Sequence, residues 1–154
     1  MLKRLTLIAL LLAALAAPAG AEAASLTQSE TTLLRQMNLV RVQHGLGRLS
    51  FDPRLERAAR AHTRRMLATG TFAHGAFASR MSRFDVIGSL TGENLAWGTG
   101  TSGTPSAVVA AWLASPEHRA NLLRPMFTRV GVGSIAGTFA GYRDAQVVTA
   151  DFAG

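Results

Sequence analysis

The spacing of the apolar residues changes along this chain, and that change restricts the possible folds more than any other feature. Over residues 26–44, Leu26, Leu33, Met37 and Val40 recur at helical intervals, and Leu34 widens the stripe. Gly45 and Gly47 close that helix. Residues 49–51 read as a short extended link. Asp52 and Pro53 then start a second helix, with Asp52 as N-cap and Pro53 at the first helical position. It runs to Thr69 and stops at Gly70. Leu55, Ala59, His62 and Met66 share one of its faces, and Arg57, Arg60 and Arg64 share another. Glu56 and Arg60 form an i,i+4 pair in the favourable order. Residues 71–89 read as irregular apart from a short helix over 78–84, and residues 94–97 read as a short strand. The Gly/Thr/Ser-rich residues 98–104 are a loop. A third helix spans 105–114 with Thr104 as N-cap. A fourth spans 116–123, with Ser115 as cap and Pro116 at its first position. Two strands, 129–136 and 142–152, close the chain around a glycine-containing turn. Helices first and a hairpin last predict an α+β layered domain.

The start of the chain reads as a leader rather than as part of that domain. Lys3 and Arg4 precede an unbroken apolar run over residues 5–17, and Pro18 and Gly20 break it. Such a run is short for a bilayer span and has the order of a signal peptide. Small residues favour cleavage after Ala23, with Ala21 the alternative. The expected division is a signal peptide over 1–23 and one domain over 24–154, with no membrane span after signal removal. A chain of about 130 residues buries roughly two-thirds of its unfolded surface. The sequence contains no cysteine. An exported fold of this kind is held by its core alone, and thiol catalysis, thiolate metal sites and disulfide exchange are excluded.

Removing Lys3, Arg4 and Glu22 from sixteen basic and nine acidic side chains leaves fourteen, all arginine, against eight. An exported basic protein meets anionic envelope material, lipid or wall polymer. The plainer reading is a solvated arginine surface. Nucleic acid is discounted, because export removes the chain from it and no recognised binding motif is present.

The four histidines differ in context. His44 ends the first helix, where an imidazole interacts well with the helix dipole. His62 lies on the apolar face of the second helix and reads as a core histidine. His74 and His118 belong to no plain amphipathic pattern, and neither does Glu93 in Thr91-Gly92-Glu93-Asn94-Leu95-Ala96-Trp97-Gly98. Two imidazoles and a carboxylate are the donors of a catalytic-type zinc site. Their spacing matches no local signature such as HExxH. Trp97 and Trp112 read as core anchors. There is no G-x-S-x-G segment.

Six segments taken in order resemble a bacterial CAP-superfamily domain, the SCP-like extracellular fold of cysteine-rich secretory, antigen 5 and pathogenesis-related class 1 proteins. They are Asn38-x-x-Arg41-x-x-x-Gly45-Leu46, Leu55-x-x-x-Ala59-x-x-His62-x-x-x-Met66, Phe72-x-His74, Gly92-Glu93-Asn94-Leu95-Ala96, Trp112-x-x-Ser115-Pro116-x-His118-Arg119-x-Asn121-Leu122-Leu123, and Val130-Gly131-Val132-Gly133. The resemblance implies a three-layer α-β-α sandwich with a surface cleft lined by two histidines and acidic residues. They fall on His74, Glu93 and His118. Animal and plant members carry a second glutamate three residues after the tryptophan of the later motif. Here that position is Ser115, and Glu117 is not the matching residue.

The expectation is an exported, monomeric protein, periplasmic or extracellular. Its His74/Glu93/His118 cleft would act as a binding module for a divalent metal such as zinc, an envelope lipid or wall fragment, or another small ligand. The alternative is a metal-dependent, protease-like hydrolase with Glu93 as the candidate catalytic base.

Overall fold

A computed structural model describes residues 25–154, so the leader expected over 1–23 lies outside the described residues. The first helix, α1 (Gln28–Gln43), begins two residues later than its apolar spacing suggests. Thr27 and Glu30 set that start: each side chain accepts the other's backbone N–H in a capping box. Strand β1 (Ser50–Phe51) follows. In α2 (Pro53–Thr69), Asp52 Oδ1 accepts the N–H groups of Arg54 and Leu55, and Gly70 ends the helix at φ 66°. Helix α3 (Phe77–Arg83) falls one residue from the short helix expected over 78–84. Strand β2 (Thr91–Gly98) is twice as long as expected, because it pairs along its whole length with the last strand. The loop after it contains a 3₁₀ turn, Gly100–Gly103. Helices α4 (Pro105–Ala114) and α5 (Pro116–Leu122) and strands β3 (Arg129–Phe139) and β4 (Tyr142–Ala153) complete the chain.

The sheet order is β1-β3-β4-β2, with β1 parallel to β3 and the other pairs antiparallel. On one face α1, α4 and α5 bury Leu33, Met37, Val108, Trp112 and Leu122 against Val130, Val132, Ala150 and Phe152. On the other, α2 packs on β3 and β4, and Met66 meets Leu95, Phe139 and Val147. The architecture is therefore the expected three-layer α-β-α sandwich. No helix among the described residues is long and apolar enough to cross a membrane.

Two local expectations are corrected. Trp97 is 37% exposed rather than a core anchor. Residues 93, 95 and 97 share the face of β2 toward α2, but by Trp97 the strand has reached the hairpin end of the sheet. There the indole meets the rings of Phe139 and Tyr142, at 5.6 and 5.9 Å. Ser115 stands at the N-cap position of α5 but makes no capping bond with its side chain.

Arg41 fastens the helical layer without any carboxylate. It is 1% exposed and donates to the carbonyls of Gly47 (2.8 Å), Leu122 (2.9 Å), Arg124 (3.1 Å) and Phe127 (2.9 Å). Leu122 is the last residue of α5, where unpaired carbonyls carry the negative end of the helix dipole. Arg41→Met keeps the apolar stem but leaves these acceptors without their donor. We expect a loss of about 2–3 kcal/mol in urea unfolding; an unchanged midpoint would refute the fastening role.

Candidate functional site

Strand β2 is an edge strand, and side chains alternate across it. Glu93 faces the α2 layer, whereas Asn94 faces α5. Opposite Glu93 in the β4 register is Asp151, which points to the same face. Both carboxyls are buried, Glu93 at 6% exposure and Asp151 at 0%. They stand opposite each other in the ladder, and both face Arg80.

Three cationic or polar groups close around this pair. Arg80 reaches in from α3, donates to Glu93 Oε2, and lies 3.5 Å from Asp151 Oδ1. His74 Nδ1 is 2.6 Å from Glu93 Oε1 while the ring stays 58% exposed. His62 Nε2 is 3.8 Å from Glu93 Oε2, but its hydrogen bond goes to the Ala73 carbonyl at 2.9 Å. A carbonyl only accepts, so Nε2 of His62 carries the proton. Burial, with Arg80 nearby, pushes His62 down to about 4, so it is neutral at ordinary pH.

Burial acts on the carboxyls in the opposite direction. Glu93 is pushed up to about 7, because desolvation outweighs the Arg80 charge. Asp151 is raised well above the usual aspartate value by burial and then by the charge of Glu93. Its Oδ2 is buried with no hydrogen-bond partner. One proton held by the pair removes the like-charge repulsion. Chemically, this is a proton donor and acceptor poised near neutrality, with its counter-ion already in place.

His118 approaches from the other side of β2. Asn94 Nδ2 donates to the His118 carbonyl (2.9 Å), and Asn121 Nδ2 donates to Glu93 O and Asn94 Oδ1 (both 3.1 Å). These bonds tie α5 to the strand. Gly92 leaves the space they need: a Cβ there would lie 2.8 Å from Phe127 Cζ and 3.2 Å from Asn121 Oδ1. His118 Nδ1 bonds Ser115 Oγ at 2.9 Å. Burial, and then the charge of His74, lower its pKa.

The structure thus joins His74 directly to Glu93, while the His118 ring bonds Ser115 and its backbone carbonyl is tied to Asn94. Among the described residues no three His, Asp or Glu side chains are grouped to hold a metal ion. Nor does the donor set fit one. Glu93 is engaged on both oxygens, and the guanidinium of Arg80 sits where a cation would be repelled. Sequence reasoning missed Arg80 and Asp151, while His62 is the buried, hydrogen-bonded core histidine its helix face suggested.

Residues 34–152 match the cysteine-rich secretory protein family, CAP. The chain is 35% identical over 132 residues to an uncharacterized protein, YkwD, of Bacillus subtilis (strain 168), covering 77% of this chain and 50% of that protein. Among solved structures it is similar to an extracellular protein containing an SCP domain from Bacillus anthracis, at 28% identity and TM-score 0.68, over 84% of this chain and 44% of the other. It also shares the fold of an outer surface protein from Borrelia burgdorferi, at 24% identity and TM-score 0.69, over 83% and 95% of the two chains. The chain thus spans about half the length of the two Bacillus proteins.

Proposed function

The chain belongs to the cysteine-rich secretory protein (CAP) family, and we propose that it is an exported binding module whose cleft at the β2 edge holds a small polar group of envelope material. The observation that carries this reading is the state of Glu93. Its charge is already met by Arg80 and its remaining oxygen by His74 Nδ1. That arrangement leaves the exposed His74 ring to offer a nitrogen donor or acceptor to a ligand, and His118, from the α5 side of the strand, would supply a second. With the carboxyls sharing one proton, the cluster is close to neutral and suits an uncharged polar ligand, such as a sugar hydroxyl or amide of a wall fragment or lipid head. Export is supported by the extracellular description of the Bacillus anthracis relative and by the charge–apolar–small order of residues 1–23.

A sedimentation assay with purified cell-wall material and with envelope-lipid vesicles tests the proposal. Retention of the wild type should fall about tenfold in His74→Ala, and a similar fall is expected in His118→Ala; this corresponds to roughly 1.4 kcal/mol. Equal retention by all three proteins would sink the cleft reading. Metal content, measured in parallel, should be substoichiometric and unchanged by either substitution. A stoichiometric metal lost in both variants would restore the metal reading.

The hydrolase reading keeps one supporting observation, a glutamic acid titrating near neutrality beside a second carboxyl. As a metal-dependent activity it requires peptide or casein turnover that is lost on chelation and in Glu93→Gln. Turnover surviving that substitution would dismiss Glu93 as its acid or base.

A further inference from the structure

A pocket opens beside the Glu93 cluster and shares His62 and Arg80 with it. It lies between α2 and α3, has a volume of about 120 Å³, and is lined by His62 and Arg65 from one helix and Ser79, Arg80, Arg83 and Phe84 from the other side. Three guanidinium-bearing residues and a hydroxyl line it, and no carboxylate does. Other arginines of the chain are differently employed. Arg41 is spent on carbonyls, Arg60 on Glu30 and Glu56, and Arg129 on Asp52. Arg65 and Arg83 have no acidic partner among the described residues, and both are exposed. Arg80 supplies a second, independent sign. Its side chain is only 10% exposed, and its Nε is buried with no hydrogen-bond partner. Buried guanidinium N–H groups are normally paired. Arg57 and Arg64, in the adjoining groove along α2, extend the positive field.

We propose that this α2–α3 pocket is an anion site that takes a phosphate ester group, held between the guanidinium forks of Arg65 and Arg83 and the hydroxyl of Ser79. A guanidinium presents two parallel N–H donors matched to a pair of oxygens. A tetrahedral phosphate has enough oxygens to accept from two forks and a hydroxyl together. A carboxylate, with two oxygens in one plane, satisfies one fork only. A focused positive field in a partly enclosed pocket raises the local concentration of such anions.

The test is calorimetric titration of the protein with inorganic phosphate and with glycerol 3-phosphate at constant ionic strength, accompanied by sedimentation with phosphatidylglycerol vesicles. Saturable binding of the soluble phosphates is expected. It should weaken at least tenfold in Arg65→Ser/Arg83→Ser and less than twofold in Arg35→Ser/Arg48→Ser, which removes the same charge from exposed positions elsewhere. Arg65→Lys/Arg83→Lys keeps the charge without the forks, should bind with intermediate affinity, and remains informative if the serine variant misfolds. Vesicle binding that follows the same order identifies a lipid headgroup as a source; its absence beside phosphate binding identifies a soluble or polymer phosphate. Equal loss in the two serine variants, or no saturable phosphate binding by the wild type, would overturn the site. His74→Ala should leave phosphate binding unchanged, which separates this outcome from failure of the edge cleft; loss in that variant would refute a separate site.

Discussion

Gly131→Ala is expected to abolish the native fold rather than soften it. A Cβ at Gly131 would lie 2.0 Å from both the Glu56 nitrogen and the Leu55 carbonyl carbon, and 2.6 Å from Glu56 Cα. These are backbone atoms of α2, so no rotamer change relieves the clash. The helix must lift from β3 along its first turns. Lifting it would also disturb the face of α2 that brings His62 toward Glu93, 3.8 Å away. Overpacking normally costs about 1–3 kcal/mol when side chains can adjust. Where the layers themselves must separate, we expect more than about 4 kcal/mol, in the range seen only for severe core lesions. The measurement is soluble yield with near-ultraviolet circular dichroism, and urea unfolding of whatever folds. Gly137→Ala is the control, because its Cβ would meet only the flexible end of Leu67 at 3.0 Å. It should cost about 1 kcal/mol or less. A Gly131→Ala protein with the wild-type urea midpoint would show that the helix–sheet contact is slack.

The same position shows what was legible in the sequence and what was not. Local chemistry could be read directly. Asp52-Pro53 and Thr104-Pro105 open helices, Gly70 closes one, and a glycine-containing turn joins the last two strands. A layered α+β domain followed from helices preceding a hairpin, whereas the three-layer α-β-α order came from the resemblance. The close approach of α2 to Gly131 followed from neither, because it joins residues far apart in the chain. Asp151 was hidden for a related reason. It lies in a buried stretch, Val147 to Phe152, where the apolar pattern does not say which face meets which helix. The usable signal was that a carboxylate inside such a strand needs a partner. That would have pointed to a second carboxyl or an arginine, although not to Arg80 in particular, since nothing local aims a short helix at a distant strand. Glu93 and His74 were found through a resemblance rather than through spacing. Trp97 was misread because a strand's apolar side extends past the helix that covers it.

Arg80→Met should destabilise the protein in a strongly pH-dependent way. In the wild type, Glu93 has a folded-state pKa of about 7, above the ordinary glutamate value of 4.5. The stability it contributes as a neutral acid is complete below about 4.5 and is lost as pH rises through 7. His62, pushed down to about 4 from 6.5, works in the opposite sense: its contribution is complete above 6.5 and is lost as pH falls through 4. Between pH 4.5 and 6.5 these two slopes oppose each other, so their joint effect on wild-type stability is nearly flat. Removing Arg80 leaves His62 neutral but takes away the cation that both carboxyls face. The folded-state pKa of the pair then rises further, and the loss of stability with increasing pH steepens. At pH 5 the carboxyls can remain protonated, and the cost should be about 1–2 kcal/mol, mostly unmet hydrogen bonds. At pH 8 buried charge has lost its counter-ion, and the cost should reach about 3–5 kcal/mol. Urea unfolding of Arg80→Met and wild type at the two pH values measures the difference. Adding Asp151→Asn to the variant should recover much of the loss at pH 8, because Glu93 then has no second ionisable carboxyl beside it. Equal destabilisation at pH 5 and pH 8 would mean that Arg80 acts through packing on Phe77, whose ring lies 5.3 Å from its guanidinium carbon, and not through the carboxyl pair.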